Sequence, residues 1–261
     1  MVYPALTDLA TFVLVLVTGL PLAFLFSKVL KLHPQKPMSS NKKGEVWLCA
    51  LVLTSVIVGA FGIYGFYDKV WIRTTLTADP LYVVRDAIAI AVTLVPVVVA
   101  LIWSKQSLGS IAVKRDELKK NTAFGALTGL GTILLIGAIS PFLTGGFVGF
   151  SVSTGYLLLS YLIVSFGEEI IFRGFIQTRL VSGLGPVVGL GISSVCYAIY
   201  NFPLGYFCFT GNIMLASVYA AWRVSSGLFY CYTFHKSQNV ISSSIVHVFL
   251  VWGGLLFGLY L

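Results

Sequence analysis

Apolar stretches about twenty residues long follow one another along almost the whole of this 261-residue chain, and that recurrence restricts the fold more than any other feature. A stretch of that length crosses the hydrocarbon core of a bilayer as one helix. Inside lipid only helices and closed barrels satisfy every backbone hydrogen bond. Eight stretches are read, over roughly 7–30, 46–67, 81–103, 122–143, 153–176, 186–203, 206–223 and 240–261. The expected fold class is therefore all-α, a polytopic membrane helix bundle of about eight transmembrane helices. Composition agrees, since 57% of residues are hydrophobic and 10% charged, where soluble domains carry charge on about a quarter. Soluble, disordered and fibrous classes are excluded. The first stretch has no basic leader, its first lysine being Lys28, so it is expected to be retained as a span.

Basic residues set the expected orientation. Lys28, Lys31, Lys36, Lys42, Lys43, Lys105, Lys114, Arg115, Lys119, Lys120, Arg173, Arg179, Arg223 and Lys236 fall in one alternating set of loops. The other set holds only Lys69, Arg73 and Arg85. This bias places the first set in the cytoplasm and both termini outside. The net charge of +8 is thus read as topology, and no nucleic-acid module accompanies it. Membrane lipids are the expected partners. Gly125 and Gly129, Gly185 and Gly189, and Gly254 and Gly258 have the small-residue spacing of helix contacts. The segment from Ser107 to Lys120 is amphipathic and is expected in the cytoplasmic interface or as a solvated loop. Cys49, Cys196, Cys208 and Cys231 show no C-x-x-C spacing and are expected to pack as small hydrophobes.

Seven of the nine acids lie near span ends or in loops, and the remaining two are adjacent. Glu168 and Glu169 follow the apolar run 155–166, and Glu168 lies about 16 Å inside Arg179 at a helical rise. A carboxylate at that depth is costly unless it faces a cavity or a partner, so it marks a functional site. Residues four apart stack on a helix, so Glu169 is expected to pair with Arg173. Glu168 is left without a local neutraliser, as suits a general base. His247, nine residues past Gln238, reaches a similar depth, about 14 Å. Asn201, with Tyr197 one turn before it, sits deeper in the sixth span. His33 and His235 are expected in loops without a catalytic role.

At these residues the sequence resembles the CAAX prenyl protease and bacteriocin-processing family, the CPBP or Abi-type intramembrane glutamic endopeptidases. The family pattern of two glutamates, three residues and an arginine aligns with Glu168-Glu169-Ile170-Ile171-Phe172-Arg173, followed by Gly174-Phe175. The second motif, an aromatic residue four before a histidine, aligns with Tyr197 and Asn201, then Phe202-Pro203. The last, a glycine about twenty residues ahead of a histidine with asparagine one turn later, aligns with Gly227, His247 and Val251. The resemblance covers roughly residues 150–255. With the hydropathy and charge pattern, the expected organisation is about four N-terminal transmembrane helices over 1–150 with basic cytoplasmic loops, and a core over 151–261 that resembles the CPBP family.

Carried over by position, the resemblance implies catalytic roles for Glu168, Glu169, His247 and Asn201, with Arg173 and Tyr197 in support. Glu168 is the base that activates water against a peptide carbonyl, and His247 is an oxyanion donor. The implied substrate is a lipidated or membrane-tethered peptide, cut near its C-terminus at a site opening toward the cytoplasm. The chain departs from the pattern at Asn201, which cannot accept a proton, and at Val251, which has no donor. Such losses cost about 10²- to 10⁴-fold each, so reduced or lost activity is expected. The alternative is a non-catalytic scaffold or immunity protein that binds a peptide or lipid in the same cavity. A more distant one is a small proton-linked carrier, since a mid-membrane acid also marks transport. No cofactor and no metal are expected, because these residues hold one histidine and no H-E-x-x-H.

Overall fold

The computed structural model describes residues 13–32, 42–70, 80–112, 117–139, 147 and 149–257. Among them eight helices run back and forth. They are α1 (Val15–Val29), α2 (Lys42–Val70), α3 (Pro80–Trp103), α4 (Leu118–Ile139), α5 (Val152–Leu184), α6 (Pro186–Thr210), α7 (Ile213–Ser237) and α8 (Val240–Leu256). α2 to α6 are long and apolar enough to cross a membrane, with α1 and α8 shorter. Large apolar side chains lie on the outside, among them Val187 at 85% and Met214 at 76% exposure, as lipid-facing surface requires. The protein is a multi-pass helical membrane protein.

The breaks between helices follow from local chemistry. Ser151 caps α5 in a reciprocal pair with Thr154: the Thr154 amide donates to Ser151 Oγ at 3.1 Å and the Ser151 amide to Thr154 Oγ1 at 2.7 Å. Gly185, at φ +84°, ends α5, and Pro186 opens α6. Gly211, at φ +59°, ends α6, and Asn212 Oδ1 accepts from the amides of Met214 and Leu215 to start α7. Asn239 caps α8 in the same way through Ile241.

The Gly211–Asn212 break corrects two expected spans. Residues 205–210 are a π-helical extension of α6, and the seventh helix is Ile213–Ser237. The apolar run from Gly205 to Phe209 looks like the start of a span, but the following glycine and cap residue reverse the chain. Arg223, expected in a loop, therefore lies inside α7, while Arg173 and Arg179 lie inside α5. The orientation then rests on the two lysine clusters between α1 and α2 and between α3 and α4. His33 and the residues 113–116 of the second cluster lie outside the described residues.

Gly125 and Gly129 do form a helix contact. A Cβ on Gly125 would lie 2.7 Å from the Ser242 carbonyl, and one on Gly129 would lie 2.9 Å from Phe249 Cβ, so α4 packs backbone-close on α8. The Gly185–Gly189 pair instead forms the tight corner between α5 and α6, with Gly189 against the Val181 backbone. Gly258 lies outside the described residues. The segment after α3 is a 3₁₀ turn, Leu108–Ile111, with Ile111 and Ala112 buried in the bundle. Ala112 accepts a hydrogen bond from the Val240 amide at 3.2 Å, so this apolar face packs on protein rather than on the interface. At the same end Arg179 ion-pairs with Glu45 at 3.0 Å, stacks on Phe175 and donates to Gln106, which itself donates to Glu45 at 2.8 Å. This cluster ties α2, α3 and α5 together.

Candidate active site

α5 carries both glutamates at its midpoint. Its first part, Val152–Glu169, is a regular α-helix, and Ile170–Gln177 is a π-helical segment that begins directly after Glu169. π segments inside α-helices recur at functional sites because they re-aim the side chains that flank them. Beyond the glutamates the helix is sealed by Ile171, Phe172, Phe175 and Ile176, all with no exposed surface.

Glu169 is fully buried and held from two sides. Arg173 Nε lies 3.3 Å from Glu169 Oε2, the pair expected from the spacing. The guanidinium also donates to the Gly227 carbonyl at 3.4 Å and lies 4.6 Å and 5.3 Å from the ring centres of Tyr197 and Tyr230. On the other side His247 Nδ1 lies 3.2 Å from Glu169 Oε1. A carboxylate paired to arginine is an acceptor, so we assign the His247 proton to Nδ1. Nε2 then points at the Tyr197 hydroxyl, 3.4 Å away, and at Glu168 Oε2, 3.9 Å away.

The imidazole therefore bridges the two carboxylates, hydrogen-bonded to Glu169 and facing Glu168 beyond direct hydrogen-bond range. Tyr230 stacks on it, with ring centres 4.3 Å apart and planes at 22°. The Tyr197 hydroxyl also lies near Glu168. Glu168 and His247 are each 3% exposed. Reading from depth alone joins His247 to Glu168 and misses its closer bond to Glu169, because depth says nothing of which helix faces meet.

Asn201, 2% exposed, turns its amide to its own helix: Nδ2 donates to the Tyr197 carbonyl at 2.9 Å, and no hydrogen bond joins its side chain to Glu168. Val251 is buried one turn beyond His247 and offers no donor. Ser243 Oγ donates to the Val240 carbonyl at 3.1 Å. Tyr200 packs on Phe172, with ring centres 5.0 Å apart, and lies near Tyr64 and Thr93. His235 sits half-buried in the last turn of α7, away from the site. Tyr230 and Arg223 are the residues that the sequence did not single out for the site. Tyr230 lies three residues past Gly227, on the same face of α7. Among the described residues no cluster of His, Cys, Asp and Glu forms a metal site.

A buried pair of carboxylates, one neutralised by arginine and both facing one imidazole, defines a membrane bundle with an acid–imidazole site at its centre. A family likeness follows from comparison. Residues 150–253 match the model described as Type II CAAX prenyl endopeptidase Rce1-like, so this part of the membrane protein is similar to the CAAX protease family. The match includes Glu168, Glu169, Arg173, Tyr197, Asn201 and His247, and leaves residues 1–149 outside. No curated protein and no solved structure matches the chain.

Proposed function

We propose that the protein is an intramembrane endopeptidase that hydrolyses a peptide bond near the C-terminus of a membrane-tethered substrate, with Glu168 as general base. The observation that supports it most is the bridging imidazole, 3.2 Å from Glu169 and 3.9 Å from Glu168 in a buried site. Glu168 takes a proton from water, and the hydroxide oxygen adds to the peptide carbonyl carbon. The Tyr197 hydroxyl supplies a hydrogen-bond donor near the developing oxyanion, and His247, whose Nδ1–H is held by Glu169, adds a second through Nε2 when the ring is the doubly protonated imidazolium. The C–N bond then breaks, and the proton held by Glu168 passes to the leaving amine, so that one water is consumed per bond.

Asn201 and Val251 support slow turnover. Neither replaces the histidine and asparagine of the family pattern, and Asn201 directs its amide to backbone. The same two residues favour a second reading, a protein that holds a peptide or lipid at this site without cutting it.

Purified protein in detergent, incubated with an S-farnesylated peptide, separates the two. The endopeptidase releases a C-terminal fragment detectable by mass spectrometry, and EDTA leaves the rate unchanged. Binding with no fragment after prolonged incubation would reject the endopeptidase in favour of the second reading.

A further inference from the structure

Arg223 lies about ten residues into α7 from Ile213, or about 15 Å along the helix. Its Nη2 donates to the Tyr219 hydroxyl at 2.5 Å, and its guanidinium lies 4.9 Å from the centre of that ring. Among the described residues Arg223 forms no ion pair, whereas Arg173 has Glu169 and Arg179 has Glu45. A guanidinium carries five donors, and one of these is engaged by a phenol. Inside a membrane bundle an arginine without an anion is costly and marks a place where an anion binds.

Two further observations fix where that anion comes from. Arg223 lies seven residues before Tyr230, on the same face of α7, and Tyr230 stacks on His247 with ring centres 4.3 Å apart. Arg223 therefore sits two turns from the glutamate site on the α7 face that meets it, with no ion pair to Glu168 among the described residues. Directly beyond Glu168 and Glu169, toward Leu184, α5 buries Ile171, Phe172, Phe175 and Ile176. On the other side, where α3, α5 and α7 begin, Tyr64, Tyr82, Asp86, Tyr161 and Tyr219 are half-buried and interact with one another. Arg223 lies among these half-buried polar residues, toward the end of the bundle opposite the lysine clusters.

We propose that Arg223, held by Tyr219, is a carboxylate-binding subsite that receives the free C-terminal carboxylate of a peptide lying against Glu168. This rests on the endopeptidase proposal and adds to it the recognition of the substrate's end. A planar guanidinium takes a carboxylate through two parallel hydrogen bonds, a geometry that a terminal amide cannot match. The subsite would select substrates by the distance from scissile bond to chain end. A phosphate of an anionic lipid shares the same oxyanion chemistry, and the test separates the two.

Binding is measured on the Glu168→Gln chain in neutral detergent, with a fluorescent S-farnesylated peptide ending Cys-Val-Ile-Met as free acid or as C-terminal amide. The free acid is expected to bind about tenfold or more tightly than the amide, the loss typical of a hydrogen bond to a charged group. In Glu168→Gln with Arg223→Gln that ratio falls to near one, and Arg223→Lys keeps part of it. An unchanged ratio in Arg223→Gln, or equal binding of acid and amide to the parent, overturns the subsite. Displacement of the acid peptide by equimolar phosphatidylglycerol also overturns it, assigning Arg223 to lipid phosphate. Because binding is read without cleavage, a ratio that depends on Arg223 in a protein that never cuts the peptide would retain the subsite and reject only the endopeptidase.

Discussion

Replacing Glu169 by glutamine keeps the side-chain shape and removes its charge, which exposes how the site is held together. Glu169 and Arg173 have no exposed surface, and their closest approach is 3.3 Å. Removing one member of such a pair leaves the other charged and buried, a loss of about 3–5 kcal/mol. Arg173 then retains the Gly227 carbonyl and the faces of Tyr197 and Tyr230, which limit the loss and do not cancel it. Glu169→Gln with Arg173→Met removes both charges together, and apolar replacement of a whole buried pair is often neutral. The double variant is expected to lose about 1–2 kcal/mol, the worth of the lost ring contacts. Unfolding by SDS in mixed micelles, read by brief pulses of a thiol reagent, gives these values, because Cys49, Cys196 and Cys231 are buried in the folded protein. A double variant that loses as much as the two singles combined would refute the coupling.

Other expectations follow from particular contacts. At Gly174 an added Cβ would lie 2.5 Å from the Ile111 carbonyl, so Gly174→Ala is expected to destabilise by about 1–3 kcal/mol in the same titration, by forcing the turn after α3 away from α5. Stability within about 0.5 kcal/mol of the parent would show that this turn yields freely. Asn201→His together with Val251→Asn restores two groups of the family pattern and is expected to raise the cleavage rate by about 10²-fold or more. An unchanged rate would mean that neither position faces the reacting bond.

Much of the site was legible because charge inside an apolar run is conspicuous. Glu168 and Glu169 stood out by depth, the helical repeat joined Glu169 to Arg173, and Gly125 and Gly129 marked the α4–α8 contact. What escaped depends on how helices turn toward one another. The π segment after Glu169 has no compositional mark, and the bond of His247 to Glu169 requires the relative rotation of α5 and α8. Arg223 was misplaced for a different reason: the apolar run 205–209 masks the end of α6, and the serines at 225 and 226 suggest that the next span has ended. Gly211 and Asn212, a helix stop followed by a cap residue, were the available signal.

Cleavage of the S-farnesylated peptide in ¹⁸O-water by the parent protein and by Glu168→Gln tests the role of Glu168 most directly. The parent is expected to place one ¹⁸O in the newly formed carboxyl terminus. Glu168→Gln is expected to slow that incorporation by about 10²-fold or more while remaining folded by thiol protection. Equal incorporation by the two proteins would contradict the assignment of Glu168 as the group that activates water.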